Sequence, residues 1–288
     1  MKKKKIEKIC IIGVGLIGGS FALGLKRVDK NQVIVGYGRH EASLKQAQEL
    51  GVIDRYSMDI AEAMAGVDMV LIATPVNSFK GILALIKPHL NAQVIVSDVG
   101  STKGSVMAMA RTVFGTMPEY FIPAHPIAGK EQSGVGAADG VLFENKRVIL
   151  TPADNANSQA IVAVRDIWAS MGAKVEIMDA KTHDDLLAMT SHLPHMLAFS
   201  LMDYLMQCDP NALNYAAGGF KDFSRIASSD ASMWRDICIN NSEDIVKHIE
   251  GYQRTLADLS KLIQSNQAQA LEQLFQAAKT TRDNWLKG

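Results

Sequence analysis

Cysteine is sparse. The three cysteines, Cys10, Cys208 and Cys238, are odd in number, widely spaced and form no CxxC pair, which argues against a disulfide framework and against a structural zinc site. Histidines and carboxylates are scattered without metal-ligand spacing. Net charge is also lacking. Thirty basic residues balance thirty acidic ones, so there is no basic excess to hold nucleic acid or an anionic membrane surface. No apolar run reaches the roughly 18–20 residues of a membrane span. The lysines at 2–5 read as a solvated end, and the apolar residues 9–14 after them are too few, and stop at glycines, for a secretory leader. These absences predict a cytoplasmic chain without metal, membrane or nucleic-acid partners.

What is present is 288 residues, 48% apolar and 21% charged, enough for two domains of roughly 100–200 residues each. Residues 6–12 form a short β-branched apolar run, as in a buried parallel strand. Gly13-Val14-Gly15-Leu16-Ile17-Gly18 follows, and then a helical pattern through Lys26. Strand, GxGxxG and helix in that order predict a dinucleotide site. Gly13 allows the turn, Gly15 admits the pyrophosphate, Gly18 lets the helix pack closely, and Leu16 and Ile17 open a helix end that favours phosphate. The next strand, 32–37, ends in Gly38-Arg39-His40. A carboxylate there would bind the ribose hydroxyl of NAD, whereas an arginine suits the 2′-phosphate of NADP. Arg39 therefore points to NADP, with NAD or both as the alternative.

Further buried strands are expected at 68–73 and 94–98, ending in Thr74-Pro75 and in Ser101, with helices at 41–50, 60–65 and 78–86 between them. The alternation implies a Rossmann-like, doubly wound parallel α/β sheet with ligands at the carboxyl ends of its strands. Thr74 and Pro75 are expected at the cofactor. Later strands are expected at 120–123, 147–151 and 174–177, around a helix at 158–171. After residue 179 the apolar residues recur only at helical spacing, giving long helices at 183–207, 242–264 and 268–286. The expected division is a nucleotide-binding α/β domain, 1–178, and an all-α domain, 179–288.

Three blocks occur in order: Gly13-x-Gly15-x-x-Gly18-Gly19-Ser20, Asp98-x-Gly100-Ser101-x-Lys103, and His125-Pro126-x-x-Gly129-x-Glu131-x-Ser133-Gly134. Ser191-His192-Leu193-Pro194-His195, Gly218-Gly219-Phe220-Lys221-Asp222-Phe223-x-Arg225-Ile226-Ala227 and Met233-Trp234-Arg235-Asp236-Ile237 follow. Together they resemble the prephenate/arogenate (cyclohexadienyl) dehydrogenases, the TyrA-type enzymes of tyrosine biosynthesis. The resemblance covers nearly the whole chain. It implies NAD(P)-dependent oxidative decarboxylation of prephenate, or of arogenate, and a homodimer formed through the helical domain. It also implies site roles. His125 would be the base for the C4 hydroxyl, and Ser101 would bond the same hydroxyl. Arg225 would grip a substrate carboxylate, with Lys221 a second cation. His192 would lie near substrate and nicotinamide, and Glu131 would shape the entrance by ion pairing. His195, one turn beyond His192, reads as a satisfied core histidine.

Two other classes fit parts of the pattern. A β-hydroxyacid dehydrogenase also joins a Rossmann domain to helices, but it would use an interdomain lysine and has no need of the His125-Pro126 block. A redox-sensing regulator that binds NADP without turnover would not need Ser101, His125 and Arg225 together.

Overall fold

A computed structural model describes residues 6–130 and 132–287. The chain forms two compact units, Met1–Ser242 and Glu243–Gly288.

In the first unit, β1 (Lys8–Ile12), β2 (Val33–Tyr37), β3 (Arg55–Ser57), β4 (Met69–Ile72), β5 (Ile95–Asp98) and β6 (Phe121–Ile122) form one sheet in the order β3-β2-β1-β4-β5-β6. All five pairings are parallel. Strands covered on both faces need apolar side chains on both, and Ile9, Cys10, Ile11, Met69, Val70, Leu71 and Ile72 are all fully buried. Helices α1 (Leu16–Val28), α2 (Glu41–Glu49), α3 (Ile60–Met64), α4 (Phe79–Ile86) and α5 (Lys103–Phe114) are the crossovers. One core cluster includes Phe21 of α1 and Trp168 of α6 (Ser158–Ser170). There Trp168 meets Phe21 and Phe143 edge-on at 4.9 and 5.0 Å between ring centres. The other contains Phe79, Leu83 and Ile86 of α4 and Val106 of α5.

The strands expected at 94–98 and 120–123 fall at β5 and β6, whereas those expected at 147–151 and 174–177 do not extend the parallel sheet. Pro123 has no N–H for a ladder, and after β6 the chain leaves the main sheet there. It enters a second sheet of β7 (Ala124–Pro126), β8 (Arg147–Leu150) and β9 (Lys174–Ile177). In it β7 is antiparallel to β8, and β8 is parallel to β9. Residues 124–126 are thereby turned away from the ladder that precedes them, next to the carboxyl end of β5.

The single helix expected at 183–207 is instead three segments. Helix α7 (Ala180–Leu187) leads through a π-helical turn, Ala188–His192, into α8 (Leu193–Cys208). The cause is Pro194. Its ring clashes with an α-helical carbonyl four residues back and it cannot donate, so the turn before it widens, with the Leu193 N–H bonded to Ala188 O. Two short helices follow, α9 (Gly218–Ser224) and α10 (Ala231–Asn240). Asp179 and Asp230 cap α7 and α10 by accepting the N–H of Thr182 and Met233. The second unit is the helix pair α11 (Ser242–Gln264) and α12 (Ala268–Trp285), whose connection turns at Asn266, φ 52°. Leu256, Ile263, Leu274, Phe275 and Trp285 stay exposed on it.

Candidate active site

The sheet order puts the ends of β1 and β4 side by side, with Ile12 in register with Ile72, at the point where the strand order reverses. Gly13 turns there with φ +96°. A Cβ on Gly18 would sit 2.3 Å from Gly13 O and 3.1 Å from Ala73 Cβ, whereas one on Gly15 would meet nothing within 4 Å. Close packing on one side and an open approach on the other form a cradle suited to a pyrophosphate. Gly15 is the N-cap of α1, with no side-chain cap and no acid in the first turn. The N–H groups at Leu16 and Ile17 therefore face that approach without a competing carboxylate. Thr74 closes the loop from β4: its methyl lies against Gly13, and its hydroxyl hydrogen-bonds Ser78 at 2.7 Å, which in turn donates to Pro75 O. Arg39 is exposed just past β2. The nearest acid, Glu41, begins α2 and accepts a bond from Tyr56 Oη at 3.2 Å.

At the end of β5 a buried ion pair joins the two sheets. Lys103 and Asp98 are both 0% exposed and 2.5 Å apart. Lys103 Nζ also donates to Ala124 O at 2.7 Å, and Asp98 accepts the N–H of Gly100 and of Ala124. Burial raises the Asp98 carboxyl and lowers the Lys103 ammonium, and their attraction opposes both shifts. The pair fixes Ala124 and so the next residue, His125, which is half-buried. Ser101 is half-buried in the turn between β5 and α5. The N-cap of α5 is Thr102, not Ser101, and Thr102 bonds Ser105 rather than the backbone.

The cap comes from α7. Asp184 Oδ1 and Oδ2 accept the N–H of Lys103 and Gly104 at 2.8 and 2.7 Å. His183 Nδ1 lies 2.7 Å from Asp184 Oδ1, and His183 Nε2 lies 2.9 Å from His125 Nδ1. His183 and Asp184 were not among the residues the sequence singled out. The available signal was a polar pair on the same helical stripe as Leu187 and Ala188. Burial, aided by the nearby His183, Lys103 and His192, holds His125 well below the usual imidazole value. Burial also lowers His183, against the pull of Asp184. For Asp184 burial acts upward, but the bonds from His183, Lys103 and Gly104 outweigh it and hold the carboxyl low.

His192, on the π turn, is 1% exposed and enclosed by Trp234 and Asn241, and burial drives it down to about 4. His195 is the more exposed of the two histidines. His195 stacks on Trp234 at 3.8 Å between centres and bonds Ser191 O through Nδ1 at 2.9 Å. Burial lowers it, the Ser191 carbonyl opposes this, and the positive charge of Arg225 adds to the lowering. Arg225 is thus a neighbour of His195, and Lys221 lies four residues before it; both are exposed. Lys130 is paired with Asp139 at 2.9 Å. Glu131 lies outside the described residues. Among the described residues no group of histidines, cysteines and carboxylates could hold a metal ion, and no helix is long and apolar enough to cross a membrane.

Comparison with known proteins covers both halves. The family model for the prephenate dehydrogenase nucleotide-binding domain matches residues 21–177, and that for the prephenate dehydrogenase dimerization domain matches 179–277. The chain is 34% identical to the cyclohexadienyl dehydrogenase of Zymomonas mobilis, over 89% of this chain and 87% of that protein. It is 35% identical to the prephenate dehydrogenase of Lactococcus lactis, over 96% and 77% respectively. A crystal structure of Aquifex aeolicus prephenate dehydrogenase with hydroxyphenyl propionate and NAD+ superimposes with TM-score 0.92 at 36% identity, covering 98% of this chain and 99% of that one.

Proposed function

The chain belongs to the prephenate dehydrogenase family, and from that premise we propose that it converts prephenate to 4-hydroxyphenylpyruvate and CO2. Bound NAD(P)+ supplies the hydride acceptor for ring carbon C4. The observation that carries the reading is His125: a half-buried residue on β7, next to the carboxyl end of β5, with its imidazole held well below the usual value by burial. A neutral imidazole accepts the hydrogen bond of the C4 hydroxyl and takes its proton as the oxygen becomes a carbonyl. Ser101 orients that hydroxyl. Arg225 holds a substrate carboxylate through its guanidinium fork, with Lys221 as a second cation. His192 lies near substrate and nicotinamide, with the more exposed His195 stacked on Trp234 beyond it. Glu131 shapes the entrance. The backbone at Gly13, Gly15, Leu16, Ile17 and Gly18, with Thr74 and Pro75, holds the dinucleotide.

NADP is the preferred cofactor in this reading, on the strength of Arg39 and of the absence of a carboxylate at Gly38. The domains divide at 178/179, which the two family models support. Two chains associate through the helical half, supported by the dimerization-domain match and the apolar side chains exposed on α11 and α12. The three unpaired cysteines suit the cytoplasm.

Nicotinamide absorbance during turnover of prephenate, and in parallel arogenate, with NAD and NADP tests this directly. His125→Asn should cut kcat by about 10²–10⁴ with binding largely kept. Arg225→Ala should mainly raise KM. No turnover of either substrate refutes the reading.

A further inference from the structure

The base is the end of a chain of buried polar groups. Asp184 receives two backbone N–H groups from the start of α5. A carboxylate so engaged is an acceptor only, so the proton between Asp184 and His183 sits on His183 Nδ1. A neutral His183 then presents a lone pair at Nε2, 2.9 Å from His125 Nδ1. That contact is a hydrogen bond only if His125 Nδ1 carries a proton. His125 Nε2 is then left with its lone pair. Asn241 further fixes α7 by donating to Asp184 O at 2.9 Å.

We propose that His183 and Asp184 are positioning residues for the reaction: they lock His125 as the Nδ1–H tautomer, so that Nε2 is the base, and they share the proton it collects. The inference rests on the reading of His125 as that base. The step balances without any further reactant. As the substrate hydroxyl gives its proton to His125 Nε2, the Nδ1 proton of His125 shifts toward His183 Nε2. The positive charge then lies on a doubly hydrogen-bonded imidazolium beside the Asp184 carboxylate, and it returns to solvent when His125 gives up the Nε2 proton.

Every charged group facing this pair bears on that charge. Lys103 of α5, when charged, opposes a cation at either ring, as does His192 of the π turn at His125. Asp98 at the end of β5 and Asp184 of α7 favour one at His183. Both favourable carboxylates act on His183, which directs the proton inward. A buried, fully paired network also holds the ring in one orientation.

Two substitutions at one position separate the contacts. His183→Asn keeps a donor toward Asp184 and loses the acceptor for His125. His183→Gln places an acceptor near the old Nε2 but cannot carry a proton. With prephenate as the probe, His183→Asn should lower kcat about 10- to 100-fold, with both KM values within about twofold. The acid limb of its pH profile should move, and the melting temperature should change less than in a Lys103 variant. His183→Gln should fall between it and the wild type. Ring ¹⁵N spectra of the holoenzyme, with the His125 signals assigned by their loss in His125→Asn, should show protonated Nδ1 and unprotonated Nε2. That pattern should be lost in His183→Asn. A wild-type His125 protonated at Nε2, or wild-type kcat in His183→Asn, overturns the proposal, and the spectrum decides even where a variant fails to fold. If His125→Asn and His183→Asn both turn over normally, the assignment of the base itself has failed. If only His183→Asn does, the base stands and the relay falls.

Discussion

Replacing Lys103 by Met tests the ion pair that joins the two sheets. Met nearly conserves the volume and removes the charge. Asp98, fully buried, keeps two backbone donors but loses its counterion. Breaking a buried pair from one side costs about 3–5 kcal/mol, and the Ala124 carbonyl, left without its Lys103 donor, adds about 1 kcal/mol. The sum, about 4–6 kcal/mol, is a large part of the 5–15 kcal/mol typical of a folded protein, and corresponds to a fall of roughly 8–24 °C in Tm for a unit of this size. The sign with pH is fixed by Asp98. Its folded-state pKa is already raised by burial, and loss of Lys103 raises it further. Below the unfolded carboxyl value, about 3.9, Asp98 is protonated in both states and the deficit is smallest. As pH rises toward the raised folded value, the folded state must keep a proton that the unfolded state has released, so the deficit grows. Urea unfolding of both proteins from pH 4 to 8 measures it. Asp98→Asn added to the variant should recover part of the loss at pH 7. A deficit below about 1 kcal/mol, or one that does not change with pH, refutes the argument.

Because His125 is held well below the ordinary imidazole value of about 6.5, kcat/KM should stay flat from pH 8 to below pH 6.5 and fall only in stronger acid; a midpoint at or above 6.5 contradicts the burial argument. His192, lowered to about 4, contributes stability that is present above pH 6.5 and lost as pH falls toward 4, so His192→Gln should flatten that part of the stability curve. Gly18→Ala drives a methyl to 2.3 Å from Gly13 O, and calorimetry should show cofactor affinity down at least about tenfold, with a cost in stability of about 1–3 kcal/mol. Arg39→Ser should raise KM for NADP about tenfold or more and leave that for NAD within about twofold, since a phosphate–guanidinium contact is worth about 1.5–3 kcal/mol; equal effects on both cofactors would remove Arg39 from the 2′-phosphate site.

The glycine turn, the strands through Asp98 and the helical second half were legible because burial on both faces of a parallel sheet, and on one face of a helix, leaves a periodic record. The split into two sheets was not. A strand has the same period in either sheet, and the only sign was Pro123, which ends one ladder. The π turn was hidden in the same way, with Pro194 as its one local sign. His183 and Asp184 went unassigned because their role depends on residues about 60 and 80 positions away. Lys103 carried a family resemblance, yet a lysine opening a helix normally reads as solvated, and nothing local predicts that it is wholly enclosed.

The hydrogen bonds that set His125 join Asp98 and Ala124, 26 positions apart, and Lys103 and Asp184, 81 positions apart. Contacts of such separation close long loops and form late. In refolding, the helices should therefore return before the histidine is correctly held. Recovery of catalysis should lag behind recovery of far-ultraviolet circular dichroism, so that turnover times the moment at which the two sheets lock together.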